Sequence, residues 1–123
     1  MKHTMKKAPY FLLTFCSLIL LISCDVETKS ARALAKRIVG EKSACIRFET
    51  LKGEPKDVYE LETVRNHVVI RGNNANSMAM GLNRYLQDYC LTQVSWYDFN
   101  PVELPKALPT VPEKVRIESQ DDL

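Results

Sequence analysis

The first 24 residues limit what this chain can fold into more than anything that follows. Lys2, Lys6 and Lys7, with His3, form a basic start. Ala8 to Ser23 then runs 16 residues without a charge and is dense in Phe, Leu and Ile. A bilayer-spanning helix wants about 20 such residues, so the run reads as the core of an export signal rather than a span. Its removal takes 23 of the 123 residues away from the fold and leaves 100. That is enough for one small domain. It is far below the roughly 250 residues typical of a (β/α)₈ barrel.

The run ends in Leu21-Ile22-Ser23-Cys24, which resembles the bacterial lipoprotein box. The resemblance implies cleavage before Cys24, lipid on its thiol, and a protein held on a membrane of the bacterial cell envelope, periplasmic or surface. An ordinary signal peptide and an uncleaved anchor helix are the alternatives. With the signal gone, three of the 17 basic residues leave against 15 acidic ones, and the formal charge moves from +2 to −1. The apparent basicity belongs to the leader, so no basic patch argues for nucleic acid. Cys16 leaves with the leader, and Cys45 and Cys90 remain. In an exported chain they are a candidate disulfide pair; two buried free thiols are the other reading and the one expected. His67 is the single mature histidine and no C-x-x-C pair exists, so neither a metal nor a cofactor is expected.

Residues 24–30 read as a polar tether. Ala31, Leu34, Ala35, Ile38 and Val39 then fall at helical spacing over 30–39, with Thr28 or Ser30 as cap and Gly40 as stop. From Ala44 the period changes to two: Ala44, Ile46 and Phe48 alternate with Cys45, Arg47 and Glu49. A second strand, 58–63, sets Tyr59 and Leu61 against Glu60 and Glu62. Arg65-Asn66 makes a tight turn into a third strand, 67–71, whose run Val68-Val69-Ile70 suits a central position. Gly72-Asn73-Asn74 breaks it, with Asn74 or Asn76 as helix cap. Met78, Leu82, Tyr85, Leu86 and Tyr89 form one apolar stripe on a helix over 75–89. Gly81 inside that helix costs about 1 kcal/mol relative to Ala, a cost that close approach to a sheet would explain. A fourth strand is expected at 92–97. Pro101, Pro105, Pro109 and Pro112 make 100–123 an extended exit segment, with a short edge strand near 114–118. The fold class is α+β: a two-layer domain over 31–99, with a mixed sheet of about four strands and two helices on one face.

Residue chemistry offers little that resembles an active centre. Strand, Gly72-Asn73-Asn74, helix is the most motif-like feature, since a helix N-terminus can cradle phosphate. Neither G-x-G-x-x-G nor G-x-x-x-x-G-K-[ST] is present, and a structural turn is expected. Glu60 and Glu62 are the paired carboxylates that glycoside hydrolysis would need, but they sit two apart on an expected solvent face. Ser77, Ser95 or Cys90 as nucleophile would need a neighbouring base. Tyr85, Tyr89, Trp96, Tyr97 and Phe99 offer a sugar platform or core filling, and core filling is expected. Catalytic, cofactor and metal sites are therefore all read as none.

One block is more specific. Val68-Val69-Ile70-Arg71-Gly72-Asn73, then Met80-Gly81-Leu82-Asn83-Arg84-Tyr85-Leu86-Gln87-Asp88-Tyr89-Cys90, then Val94-Ser95-Trp96, resembles the N-terminal domain of alpha-N-acetylglucosaminidases, glycoside hydrolase family 89. Leu104-Pro105, Leu108-Pro109 and Val111-Pro112 resemble the linker by which that domain enters a catalytic barrel. The resemblance covers roughly 31–117. It implies a non-catalytic accessory domain that packs beside a (β/α)₈ barrel holding two catalytic glutamates, in an enzyme that removes terminal alpha-linked N-acetylglucosamine from glycans. None of those glutamates has a matching position here. The expectation is a reading frame truncated before its barrel; the alternative is a stand-alone glycan-binding or structural envelope lipoprotein.

Overall fold

The chain repeats its apolar residues at two different periods, helical and alternating, and a computed structural model shows how each period is used. It describes residues 26–92, 94 and 102–120. The leader, Cys24, and most of the strand expected at 92–97 lie outside the described residues; Thr92 and Val94, which are described, belong to no strand.

Helix α1, Val26–Val39, buries Thr28, Ala31, Ala35 and Val39, which recur every three or four residues on one side of a helix. It begins four residues before the expected start, so 26–30 is helix rather than tether, and Thr28 and Ser30 lie inside it instead of capping it. The helix stops at Gly40, as expected, and a 3₁₀ turn, Gly40–Cys45, leads into strand β1, Ile46–Thr50. Strand β2, Val58–Val64, joins strand β3, His67–Gly72, through Arg65-Asn66. Both turn residues have positive φ, +50° and +65°, the backbone of a two-residue hairpin turn whose twist matches its strands. Helix α2, Ala75–Asp88, follows, and strand β4, Val115–Glu118, comes last.

The sheet order is β1-β3-β2-β4. β1 and β3 are parallel, β2 runs antiparallel to β3, and β4 runs antiparallel to β2. β3 therefore lies inside the sheet, and its apolar run Val68-Val69-Ile70 is buried throughout. The fourth strand is the short segment at 115–118, which the sequence placed only as an edge addition.

α2 lies over β2 and β3, and α1 packs on α2 and β1. Ile70, Leu61, Met78, Leu82, Tyr85 and Leu86 are at most 1% exposed between these layers. Gly81 makes the closest contact: a Cβ there would lie 2.8 Å from Cγ2 of Ile70 and 3.3 Å from the Tyr59 ring. The helix can sit this near the sheet only without a side chain at that point. Gly72 does the same at the strand end, where a Cβ would meet the Met78 amide nitrogen at 2.8 Å.

The Pro-rich segment does not leave the domain. Its described residues are extended, as expected, but they run back across the fold as a strap. The Val102 amide donates to Ile38 O at 2.9 Å, and Lys42 Nζ donates to the carbonyls of Leu104 and Pro105. The Tyr85 hydroxyl donates to Pro109 O at 2.7 Å, and the Val111 amide donates to Thr63 Oγ1 at 2.8 Å. Val111 is buried, and Leu104 and Leu108 pack against the core. β4 follows and completes the sheet, so 102–118 is part of the domain.

Candidate functional site

The strand–Gly–Asn–Asn–helix junction is a dense polar constellation. Asn74 caps α2, its side-chain oxygen accepting from the Ser77 amide at 2.8 Å. Asn73 Oδ1 accepts from the Val58 amide at 3.2 Å and from Ser77 Oγ at 2.9 Å, while its Nδ2 donates to Lys56 O at 2.9 Å. Asn74 Nδ2 donates to Asp57 Oδ1 at 2.9 Å. The Ala75 amide, which would face a bound anion, donates instead to Glu27 Oε2 at 2.6 Å. A carboxylate of α1 thus occupies the positive end of α2. The junction ties β2, β3, α1 and α2 together, and it is a structural turn. Ser77, 1% exposed, spends its hydroxyl here and is no nucleophile.

Glu60 and Glu62 share the sheet face away from the helices, as the alternation predicts. Glu60, however, is only 5% exposed. The register explains this. Glu49, Arg71, Glu60 and Arg116 stand side by side across β1, β3, β2 and β4. They form a row of alternating charge. Arg71 meets Glu49 at 3.1 Å, Glu62 at 2.7 Å and Glu60 at 3.8 Å. Arg116 meets Glu60 at 2.9 Å, with Glu54 and Glu118 each at 3.0 Å, and Lys114 reaches Glu60 at 3.3 Å. Burial pushes the Glu60 carboxyl up, but the hydrogen bonds and charges of Arg116 and Lys114 outweigh it and hold the group below its usual range. A glycosidase acid needs the reverse, a carboxyl kept protonated near neutral pH. These carboxylates are members of an ionic row, not an acid–base pair.

Cys45 is exposed at the end of the 3₁₀ turn and Cys90 is buried beyond α2; both are free thiols. Cys45 therefore departs from the expectation of two buried thiols. Burial pushes the Cys90 thiol up, and the Tyr85 hydroxyl and Lys42 only partly oppose it, the opposite of an activated nucleophile. Tyr85 is fully buried and stacks on Tyr89, with centroids 5.6 Å apart and planes at 21°. Burial raises the Tyr85 phenol well above its ordinary value. This pair fills the core, as expected. Ser95, Trp96, Tyr97 and Phe99 lie outside the described residues.

An open groove of about 860 Å³ runs between α1 and β1, above Ile46 and Phe48. Its two carboxylates, Glu41 and Glu49, stand among Arg32, Lys36 and Arg47, and Glu49 is engaged by Arg71. Among the described residues, no group of three or more His, Cys, Asp or Glu side chains is placed to hold a metal ion. No helix among them is long and apolar enough to cross a membrane.

Comparison with known proteins fits this picture of a built scaffold. Residues 29–110 match the family model described as the alpha-N-acetylglucosaminidase (NAGLU) N-terminal domain. Human alpha-N-acetylglucosaminidase is 35% identical over 92 residues, which is 70% of this chain and 12% of the human protein. The family 89 glycoside hydrolase of Clostridium perfringens, solved with 2-acetamido-1,2-dideoxynojirmycin, superposes with a TM-score of 0.74 at 26% identity. That match covers 83% of this chain and 12% of the clostridial one. The same enzyme with PUGNAc gives 0.69 at 27% identity over 76% and 11%. The chain thus spans about an eighth of the length of the relatives it matches. The motifs from Val68 to Cys90, the strand β3 and helix α2 that carry them, and these matches agree that the chain belongs to the alpha-N-acetylglucosaminidase N-terminal domain family.

Proposed function

We propose that this domain is the non-catalytic accessory part of an alpha-N-acetylglucosaminidase-like glycoside hydrolase, working in cis with a catalytic barrel. The observation that carries the reading is the engagement of its polar groups. Glu60 is clamped by cations, the α2 terminus is filled by Glu27, and Ser77 is bonded to Asn73. Such groups hold a fold and do no acid–base work. The matches to family 89 enzymes, each covering about an eighth of the longer chain, support the same reading. In it, the glycan meets the barrel rather than this domain, whose Tyr85 is buried in the core.

A graft tests this role. Deleting the matching segment from the clostridial enzyme should lower its melting temperature and its turnover of an aryl alpha-N-acetylglucosaminide by at least tenfold. Replacing that segment with residues 26–120 of this chain should restore most of both. A deletion that leaves both unchanged contradicts an accessory role.

The leader adds a location. Lys2, Lys6 and Lys7, the uncharged run and Leu21-Ile22-Ser23-Cys24 support export and acylation of Cys24, with the domain held at a membrane through lipid. In a bacterial host, the full chain should take up an alkyne-tagged palmitate and the Cys24→Ser variant should not. Equal labelling of the two contradicts the anchor.

A further inference from the structure

The helix that stands where a tether was expected carries an uneven charge. Residues 26–47 hold six basic side chains against two acidic ones, although the chain without its leader is at −1 overall. Cations elsewhere in the fold are neutralised: Arg71, Arg84, Lys114 and Arg116 each meet a carboxylate at 3.3 Å or less. Among the described residues, no ion pair engages Lys29, Lys36, Arg37 or Arg47. The nearby acids do not cancel them. Glu27 is turned to the Ala75 amide, and Glu49 is held by Arg71; Glu41 stands in the 3₁₀ turn. Lys29, Ala33, Lys36 and Arg37 are exposed on the side of α1 opposite the buried Thr28, Ala31, Ala35 and Val39. Lys36 continues the charge over the flank of α1 into the open groove, where Arg47 of β1 joins it.

We propose that this face, formed by Lys29, Lys36 and Arg37 on α1 and Arg47 on β1, lies on the anionic phospholipid headgroups of the leaflet that holds the Cys24 lipid. The proposal rests on the acylation of Cys24 given above. The start of α1 selects the partner. Helix begins at Val26, so one residue, Asp25, separates it from Cys24. Two residue steps span at most about 7 Å, within the Debye length of about 8 Å at physiological salt. A lipid on Cys24 therefore brings the first turn of α1 to the headgroups, with no slack for the domain to hang free. Laid along the surface, α1 sets Lys29, Lys36 and Arg37 on the phosphates together, and exposed Val26 at its start meets the acyl boundary. Each cation close to an anionic leaflet strengthens attachment by about fivefold. The lipid then supplies the anchor and the cationic face fixes which side of the domain is down.

The full chain, acylated in a bacterial host and placed on vesicles, is the test. One set of vesicles is phosphatidylcholine alone and the other also contains phosphatidylglycerol. Acetylation of single lysines is read by mass spectrometry, with Lys114, just before β4 at the sheet edge opposite β1, as reference. The anionic vesicles should slow acetylation of Lys29 and Lys36 at least about fivefold relative to the zwitterionic ones. Lys114 should react equally on both, and raising the salt to about 0.5 M should remove the difference. Arg37→Gln with Arg47→Gln removes two exposed cations and keeps both probes. It should abolish most of the protection and leave palmitate uptake unchanged, with the melting temperature within a degree or two of the parent. Protection that survives this variant or high salt overturns the face. Palmitate uptake with Lys29 and Lys36 equally reactive on both vesicles overturns the face and spares the anchor. A chain that takes up no palmitate overturns both. Stronger protection of the same lysines by a soluble acidic polysaccharide than by the anionic vesicles assigns the face to a polymer and overturns the proposal.

Discussion

Gly72 and Gly81 set how close the layers of this fold can come. Gly81 holds the centre of α2 against Ile70 and Tyr59, where a Cβ would be 2.8 Å from Ile70 Cγ2. Gly81→Ala should therefore destabilise the chain by up to about 2 kcal/mol. The overpacking penalty of about 1–3 kcal/mol outweighs the roughly 1 kcal/mol that Ala gains in an unconstrained helix. Chemical denaturation measures the sign, and a stabilised variant contradicts the close approach. This role was legible in the sequence, because a glycine inside an apolar helical stripe weakens its helix unless the missing side chain lets a neighbour come close. The cap of α2 was legible from an equally local signal: Asn74 satisfies its own helix end within three residues. Asn73 was not, since its partners Val58 and Lys56 lie 15 and 17 positions away. Only the closed fold brings them together.

At the scale of elements, the sheet shows which inferences pattern supports and which it does not. The period-two alternation places Glu60 on the right face. It does not report that Arg71, Lys114 and Arg116 converge on it, because those residues come from β3 and from a segment more than 50 positions later. The result is a buried carboxylate held in its charged form. Its folded pKa is lowered relative to an unfolded value near 4.3. The stability it contributes is therefore fully present above the unfolded pKa and is lost as pH falls through the folded one. Glu60→Gln should cost about 1–3 kcal/mol at pH 7, less than a fully buried pair because Lys114 and Arg116 are partly exposed. The gap between variant and parent should shrink on acidification below about pH 4. Urea melts of both proteins at pH 7 and pH 3 provide the check, and a gap that widens in acid contradicts the row. The helices, by contrast, were read from local stripes alone. The early start of α1 was missed because Thr28, a polar residue, is buried inside it.

For the whole molecule, the strap changes what the domain is. Pro105, Pro109 and Pro112 keep 102–112 extended, but composition carries no information about direction. The segment returns across α1, α2 and β2 because Leu104, Leu108 and Val111 find apolar partners there. The Tyr85 hydroxyl is its central tie. Tyr85→Phe should lose about 1 kcal/mol. It should also raise amide exchange at Val111, which is bonded to Thr63, about fivefold. Unchanged exchange would mean the strap is held by its apolar contacts alone. The strap also places β4 at the sheet edge opposite β1.

The accessory role proposed above implies that this chain holds a fold and performs no glycan chemistry by itself. The most direct measurement is release of aryl alcohol from an aryl alpha-N-acetylglucosaminide by the purified full chain. The expected rate is no higher than that of buffer from pH 4 to pH 8. Turnover above buffer that disappears with Glu60→Gln or Glu62→Gln would contradict it, because it would make catalysts of carboxylates that the structure assigns to an ionic row.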